Sequence, residues 1–325
     1  MKIACKALDL FLALAFAIAC EGAAAQSYPS KPVKLVVGSL PGGGTDITAR
    51  LVSPKFSEQL GQPVVVENKP GAEGRIAAEF VAKSAPDGYT LFAGGSGQMV
   101  FNPGLFASLP YDSAKDFIPI TLFDADRLVF AVHPSVPARS LKELIALAKA
   151  RPGQLFHASS GSPFHVAVEL FIRQAGVNIV HVPYKGAAPA ATAAVAGEVS
   201  LIVISIPPIL GHLQSGKLRA LAINGTERSR VLPNIPTALE SGLDYEGITW
   251  AGLFAPAGTP PAIIDKLYSA MSTVLKDDAM KARFISRGRE PSGGVGMPPA
   301  EFDAFFKAEL AKWTKAIKEL NIRAD

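Results

Sequence analysis

Hydrophobic residues recur along this chain in two alternating periods. Val33-Lys34-Leu35-Val36-Val37, Val64-Val65-Val66 and Tyr89 to Ala93 are short runs rich in β-branched and aromatic residues, and they predict strands. Between them the apolar positions take helical spacing. Ile47, Leu51, Phe56 and Leu60 share one face of a helix predicted from about Asp46 to Leu60, and a shorter helix is predicted over Ile76 to Lys83. The same rhythm continues through Leu128 to Val132, Ser140 to Ala150, Leu155 to His157, Val166 to Gln174 and Ile179 to Val182. It then runs through Ala187 to Ala196, Leu201 to Ile204, Ile209 to Ser215 and Leu218 to Ile223. Ser140 and Glu143 form a capping box at one helix start, and Pro152-Gly153 stops that helix. A strand at Ile248 to Phe254 follows, then helices over Pro261 to Lys276 and Pro299 to Leu320. Phe302, Phe305, Phe306, Leu310, Trp313, Ile317 and Leu320 stripe the last helix, a pattern of core packing rather than of a cofactor box.

Strands that alternate with helices imply an α/β fold with parallel sheets. Two such units are visible, without a tandem repeat. No Pro/Ser-rich linker separates them; Phe117 to Val132 reads as two extended segments, which favours domains joined by strands that cross between them. The pattern also permits a chain that returns to its first domain near Glu246 to Ala251.

Composition changes this picture mainly at the front. The 325 residues have a mean hydropathy of +0.25, and Leu10 to Ala19 is apolar throughout, behind Lys2 and Lys6. That run is about half of the ~20 residues a membrane-spanning helix needs. Ala23-Ala24-Ala25 offers the small residues an export peptidase requires, so residues 1–25 are expected to be a cleaved signal. Ala17-Ile18-Ala19-Cys20 leaves open the alternative of lipidation at Cys20. Cleavage after Ala25 removes Lys2, Lys6, Asp9 and Glu21, so the formal charge stays at +4. It also removes Cys5 and Cys20, the chain's two cysteines, and with them any disulfide scaffold, thiolate nucleophile or cysteine-based metal site. Basic residues are scattered, which argues against nucleic acid and suits a small anionic ligand.

The strongest local feature is Leu40-Pro41-Gly42-Gly43-Gly44-Thr45-Asp46, between a strand and a helix. Glycines there let backbone N–H groups approach a ligand, and a helix start favours a carboxylate or phosphate. The stretch is neither a P-loop nor G-x-G-x-x-G, and Thr45 or Asp46 as a plain helix N-cap is the competing explanation. Gly94-Gly95-Ser96-Gly97-Gln98 and Ser159-Ser160-Gly161-Ser162 also follow predicted strands, at the carboxyl ends where open α/β sheets bind ligands. Catalytic arrangements are poor. Neither Ser96 nor Ser160 sits in G-x-S-x-G, and His133, His157, His165, His181 and His212 show no metal-ligand spacing. His181 reads as structural, and His165 as a residue that faces either the ligand or the core. Asp124 and Asp126 read as a solvated or hinge-adjacent segment rather than as an acid–base pair. The residues favour binding over turnover.

Several segments together resemble the Bug-type receptors, the extracytoplasmic solute-binding proteins of tripartite tricarboxylate transporters. They are Tyr28-Pro29-Ser30-Lys31-Pro32, Pro41-Gly42-Gly43-Gly44-Thr45-Asp46, Gly61 to Gly71, Ala85 to Leu91, Leu109-Pro110-Tyr111-Asp112, His181 to Gly186, Gly216 to Leu221 and Leu253 to Pro260. The resemblance implies an α/β, two-lobed flytrap fold of the periplasmic-binding-protein type, with mixed sheets flanked by helices and a ligand cleft between the lobes. One discontinuous lobe is expected from residues 26–124 and 247–325, the other from 125–246. The implied ligand is a small organic acid delivered to membrane transporter subunits, with neither cofactor nor metal nor catalysis, by a monomeric periplasmic protein. A sensor that presents its ligand to a membrane kinase, or an exported hydrolase using the same cleft, are the alternative functions. Expected ligand contacts are Pro41, Gly42, Gly43, Gly44, Thr45 and Asp46 in the first loop, and Ser96, Gly97 and Gln98 in the second. Ser159, Ser160, Gly161, Ser162 and His165, with Tyr184 and Ser205, complete the set. The chain departs from the family in Leu40 before Pro41, in Phe164, and in Val203-Ile204 where many relatives carry Phe-Asp. A missing carboxylate there disfavours a ligand with an ammonium group, since a buried cation needs an opposite charge.

Overall fold

The computed structural model describes residues 28–225, 227–243, 249–289, 294–319 and 321–322. The expected signal segment lies outside the described residues. In chain order the elements are β1 (Val33–Val37), α1 (Gly44–Leu60), β2 (Val64–Asn68), α2 (Arg75–Ala82), β3 (Thr90–Gly95), α3 (Asn102–Leu105), β4 (Phe117–Asp126) and β5 (Leu128–Val132). They continue with α4 (Leu141–Ala150), β6 (Phe156–Ser159), α5 (Ser162–Ala175), β7 (Val180–Pro183), α6 (Ala187–Ala196), β8 (Leu201–Ser205), α7 (Leu210–Gln214) and β9 (Arg219–Ile223). Last come β10 (Thr249–Pro256), α8 (Pro261–Lys276), α9 (Asp278–Ser286) and α10 (Pro299–Glu319).

Two five-stranded sheets result, in the orders β2-β1-β3-β10-β4 and β7-β6-β8-β5-β9. The parallel arrangement predicted from the alternation holds for β1 with β2 and β3, and for β6 with β7 and β8. Each sheet also contains an inserted antiparallel strand. β10 runs against β3 and β4, and β5 runs against β8 and β9. Both sheets are therefore mixed. Arg127 alone separates β4, in the first sheet, from β5, in the second.

Strand alternation sorts side chains onto opposite faces. In the first sheet Val33, Leu35, Val37, Leu91 and Ala93 pack with α1 and α8 on one face. Val36 and Phe92 point to the other, against Phe302, Phe306, Trp313 and Ile317 of α10. The aromatic stripe of α10 is thus core, with Phe302 in edge contact with Trp250 at 5.9 Å between ring centroids. The second sheet divides in the same way: Leu128, Phe130 and Val132 face α4 and α5, while Val129 and Ala131 face the alanines of α6.

Local signals also hold at helix ends. Ser140 Oγ accepts the Glu143 N–H at 3.2 Å, but Glu143 reaches back to the amide of Arg139 rather than of Ser140. α9 is a helix that the periodicity did not predict. Its start is fixed by Asp277, whose carboxylate accepts the N–H groups of Ala279 and Met280. No helix among the described residues is long and apolar enough to cross a membrane.

Candidate functional site

The loops that follow β1, β2, β3, β6 and β7 all open on one cavity of about 530 Å³, and Ser205 at the end of β8 joins them. Each is the carboxyl end of a strand that runs parallel to a neighbour, the edge where the sheet topology leaves a crevice. Elements of both sheets form its walls, so the cavity is a cleft between two lobes.

The first loop is held open by its own residues. Gly43 is the N-cap of α1 and offers no side chain to satisfy the first turn. Asp46 does not cap the helix either; its Oδ2 accepts the Gly42 N–H at 2.9 Å, and its Oδ1 receives Arg50 and Asn68. Both competing N-cap assignments from the sequence are corrected by these contacts. Gly44 and Thr45, whose first-turn amides have no partner within the helix, line the cavity. Gly44 packs closely under the other wall: a Cβ there would lie 3.2 Å from Ser205 Oγ and 3.3 Å from Arg289 Nη2.

Of the residues singled out in the sequence, Pro41, Gly43, Gly44, Thr45, Ser96, Gly97 and Gln98 line the cavity from the first lobe. Ser160, Gly161, Ser162, Tyr184 and Ser205 line it from the second. Gly42, Asp46, Ser159 and His165 lie off the lining, each for a visible reason. Gly42 and Asp46 are occupied with each other. Ser159 Oγ lies 2.6 Å from His181 Nε2. The His165 ring stacks on His181 at 4.2 Å and turns Nε2 toward Glu169, 3.7 Å away. His157 stacks on the far side of His181, and burial, then the neighbouring His181, pushes its pKa down to about 3. Among the described residues no group of three or more His, Cys, Asp and Glu is placed to hold a metal ion.

The largest surprise is at the cavity floor. Asp124 and Asp126, expected in a solvated or hinge-adjacent segment, do lie beside the crossing from β4 to β5, but each is only 6% exposed. Arg289, 1% exposed, donates to both carboxylates, at 2.6 Å in the case of Asp126, and to the carbonyl of Gly44. Thr48 Oγ1 adds a 2.8 Å bond to Asp124. Burial works against the guanidinium's charge, but the two carboxylates outweigh it and raise its pKa. The floor is therefore a buried ionic cluster that ties the segment after α9 to the start of α1.

Glu73 and Trp250 also line the cavity without having been singled out in the sequence. Glu73 had a local signal, since Gly71-Ala72-Glu73-Gly74 is one more glycine-bracketed loop at the end of a parallel strand. Its Oε2 accepts the N–H of Ser162 at 3.0 Å, across the cleft, and lies 3.3 Å from the Ser162 hydroxyl oxygen. Four polar atoms of lining residues, Ser39 Oγ, Ser160 Oγ, Trp250 Nε1 and Arg289 Nε, are buried without a hydrogen-bond partner among the described residues.

Residues 48–322 match the tripartite tricarboxylate transporter family receptor (TctC). The chain is 36% identical to Protein BugT of Bordetella pertussis over 299 residues, which cover 91% of either protein. Among solved structures, one described as a periplasmic transporter superposes with a TM-score of 0.87 at 40% identity, covering 92% of this chain and all of that one. An R. palustris protein, Rpa4515 with adipate, also superposes with a TM-score of 0.87, at 35% identity, over 91% of this chain and 99% of that one. The loops, the two mixed sheets and the cleft agree with these matches: the chain belongs to the tripartite tricarboxylate transporter receptor family, a family of Bug-type solute-binding receptors with a two-lobed periplasmic-binding-protein fold.

Proposed function

We propose that this protein is an extracytoplasmic receptor that captures a small organic acid in the cleft and hands it to a tripartite membrane transporter. The observation that carries this reading is the first turn of α1, with Gly44 and Thr45 lining the cleft opposite Ser205 of the other lobe. Amides at a helix start favour a carboxylate, and the low-exposure cleft strengthens their pull. The unpartnered Ser160 Oγ and Trp250 Nε1 are groups that a ligand, or water held by it, would satisfy. Aliphatic and aromatic lining from Leu40, Pro41, Pro163, Phe164 and Trp250 suits a carbon skeleton. The adipate in Rpa4515 supports a carboxylate as the ligand class.

In this reading residues 1–25 are an export signal, residues 26–124 with 247–325 make one lobe, and 125–246 the other. The ligand contacts are Gly43, Gly44, Thr45, Ser96, Gly97 and Gln98 on one side, and Ser160, Ser162, Tyr184 and Ser205 on the other. An amino acid is disfavoured because the lining carboxylates are already engaged, Asp124 and Asp126 with Arg289 and Glu73 with the Ser162 amide. Titration calorimetry against a panel of aliphatic, aromatic and amino acids tests this directly. Binding of one or more organic acids with the ligand recovered unchanged is expected. Tight binding of amino acids with no response to organic acids, or consumption of the ligand, would overturn it.

A further inference from the structure

Three helix starts reach the cavity, and they are not equivalent. α1 presents Gly44 and Thr45, α5 presents Ser162 and Pro163, and α6 presents Ala187 and Ala188. Each is favourable for negative charge by its dipole and free amides. At α5 that position is already taken. Glu73 of the opposite lobe puts Oε2 3.0 Å from the Ser162 amide nitrogen, and the buried Asn102 accepts the Ser162 hydroxyl at 2.6 Å. Glu73 is itself held in place: its carbonyl receives Asn102 Nδ2 at 3.1 Å and Gln98 Nε2 at 3.5 Å, with its backbone in the left-handed region at φ 55°. At α6 the surroundings are hydrocarbon, since Leu40 packs beside its N-cap: a Cβ on Gly186 would lie 3.3 Å from Leu40 Cδ1. α1 remains as the open start.

The charge on the lining points the same way. Three carboxylates, Glu73, Asp124 and Asp126, face two cations, Arg289 and Lys185. Arg289 is bound by both aspartates, and Lys185 stands exposed at the rim. A ligand with a second carboxylate would bring it to a wall where a fixed carboxylate already occupies the donors. Two like charges in one site repel unless a cation lies between them.

We propose that Glu73 is a specificity residue, a resident carboxylate that fills the anion position of α5 and makes the cleft select acids with one carboxylate over diacids of the same length. The proposal rests on the receptor reading and deepens it. The residues that enforce it come from both lobes, so the selection acts when the lobes meet around the ligand.

The test is calorimetry on the full chain with two matched pairs of probes, hexanoate against adipate and benzoate against terephthalate. In the wild-type protein the monoacid should bind at least tenfold more tightly than its diacid in whichever pair binds. Glu73→Gln keeps an acceptor for Ser162 without the charge, and Glu73→Gly suits the left-handed backbone while deleting the side chain. In both variants that preference should shrink at least tenfold, with circular dichroism checking the fold. Diacid binding equal to monoacid binding in the wild type, or a preference unchanged in folded variants, overturns the proposal and leaves the receptor reading standing. Failure of every organic acid to bind any of the three proteins overturns the receptor reading, and this proposal with it.

Discussion

Arg289 joins groups far apart in the chain: its partners Asp124 and Asp126 lie 165 and 163 residues away, and Gly44 245 away. Breaking a buried ion pair costs far more than the pair contributes, because the remaining charge stays buried and unpaired. Arg289→Met should therefore destabilise the protein by about 3–5 kcal/mol, read as a shift of the urea midpoint. His157 makes the opposite case. It is fully buried with neither ring nitrogen bonded among the described residues, and it faces His181, with His165 and Glu169 nearby. Its folded pKa of about 3 lies below the ordinary 6.5, so the unfolded chain takes up the proton first as pH falls. Stability is full above about pH 6.5 and declines toward pH 3. His157→Leu should flatten that decline in urea titrations between pH 7 and pH 5 and cost little at pH 7, since no hydrogen bond is lost. Legibility divides on the same line. The cleft residues readable in the sequence are those in Gly/Ser-rich turns, where the signal lies within a few residues of the site. Arg289 was invisible because no local pattern ties it to carboxylates in another part of the chain, and for want of it the aspartates read as solvated or hinge-adjacent rather than as buried ion-pair partners. Asp46 and Ser159 were placed on the right loops, but rotamer and hydrogen bonding decided which way they faced.

At the level of elements, the period-two and helical patterns located most strands and helices because each sheet is covered on both faces. Continuous apolar runs and well-marked turns follow from that arrangement. α9 escaped because Asp278 to Ser286 buries only Met280 and Phe284, too few apolar positions to make a stripe. The resemblance implied mixed sheets, as found, but which strands run antiparallel, β5 and β10, could not be read, since pairing direction leaves no trace in a strand's own composition. β10 shows how tightly the interior constrains one of these inserted strands. A Cβ on Gly252 would come within 2.2 Å of Phe302 Cζ, so the strand and α10 approach through a missing side chain. Gly252→Ala should cost about 1–3 kcal/mol by overpacking, and Phe302→Leu should recover part of it in the double variant. Additive losses from the two substitutions would argue that the contact is not the cause.

For the molecule as a whole, ligand can favour the closed state only by touching both lobes, so closure follows from its differential affinity for the two arrangements. Small-angle scattering should show a smaller radius of gyration with a saturating organic acid, and an unchanged radius would separate binding from closure. Gly97 marks a close approach of the two sides, for a Cβ there would lie 3.2 Å from Pro163 Cδ.

The position of β10 has a consequence for the order in which this molecule can be assembled. The second sheet draws its five strands from Leu128 to Ile223, one uninterrupted stretch. The first sheet has a gap between β3 and β4 until residues 249–256 arrive, more than a hundred residues after β4. Long loops must close before that pairing returns any stabilisation, so its formation is expected to be the slow step of refolding, read as the last phase in stopped-flow fluorescence. The middle of the chain is thus free to become structured while its beginning waits. The lobe that starts first is finished last, and the cavity with it, because its floor residue Arg289 belongs to the final stretch.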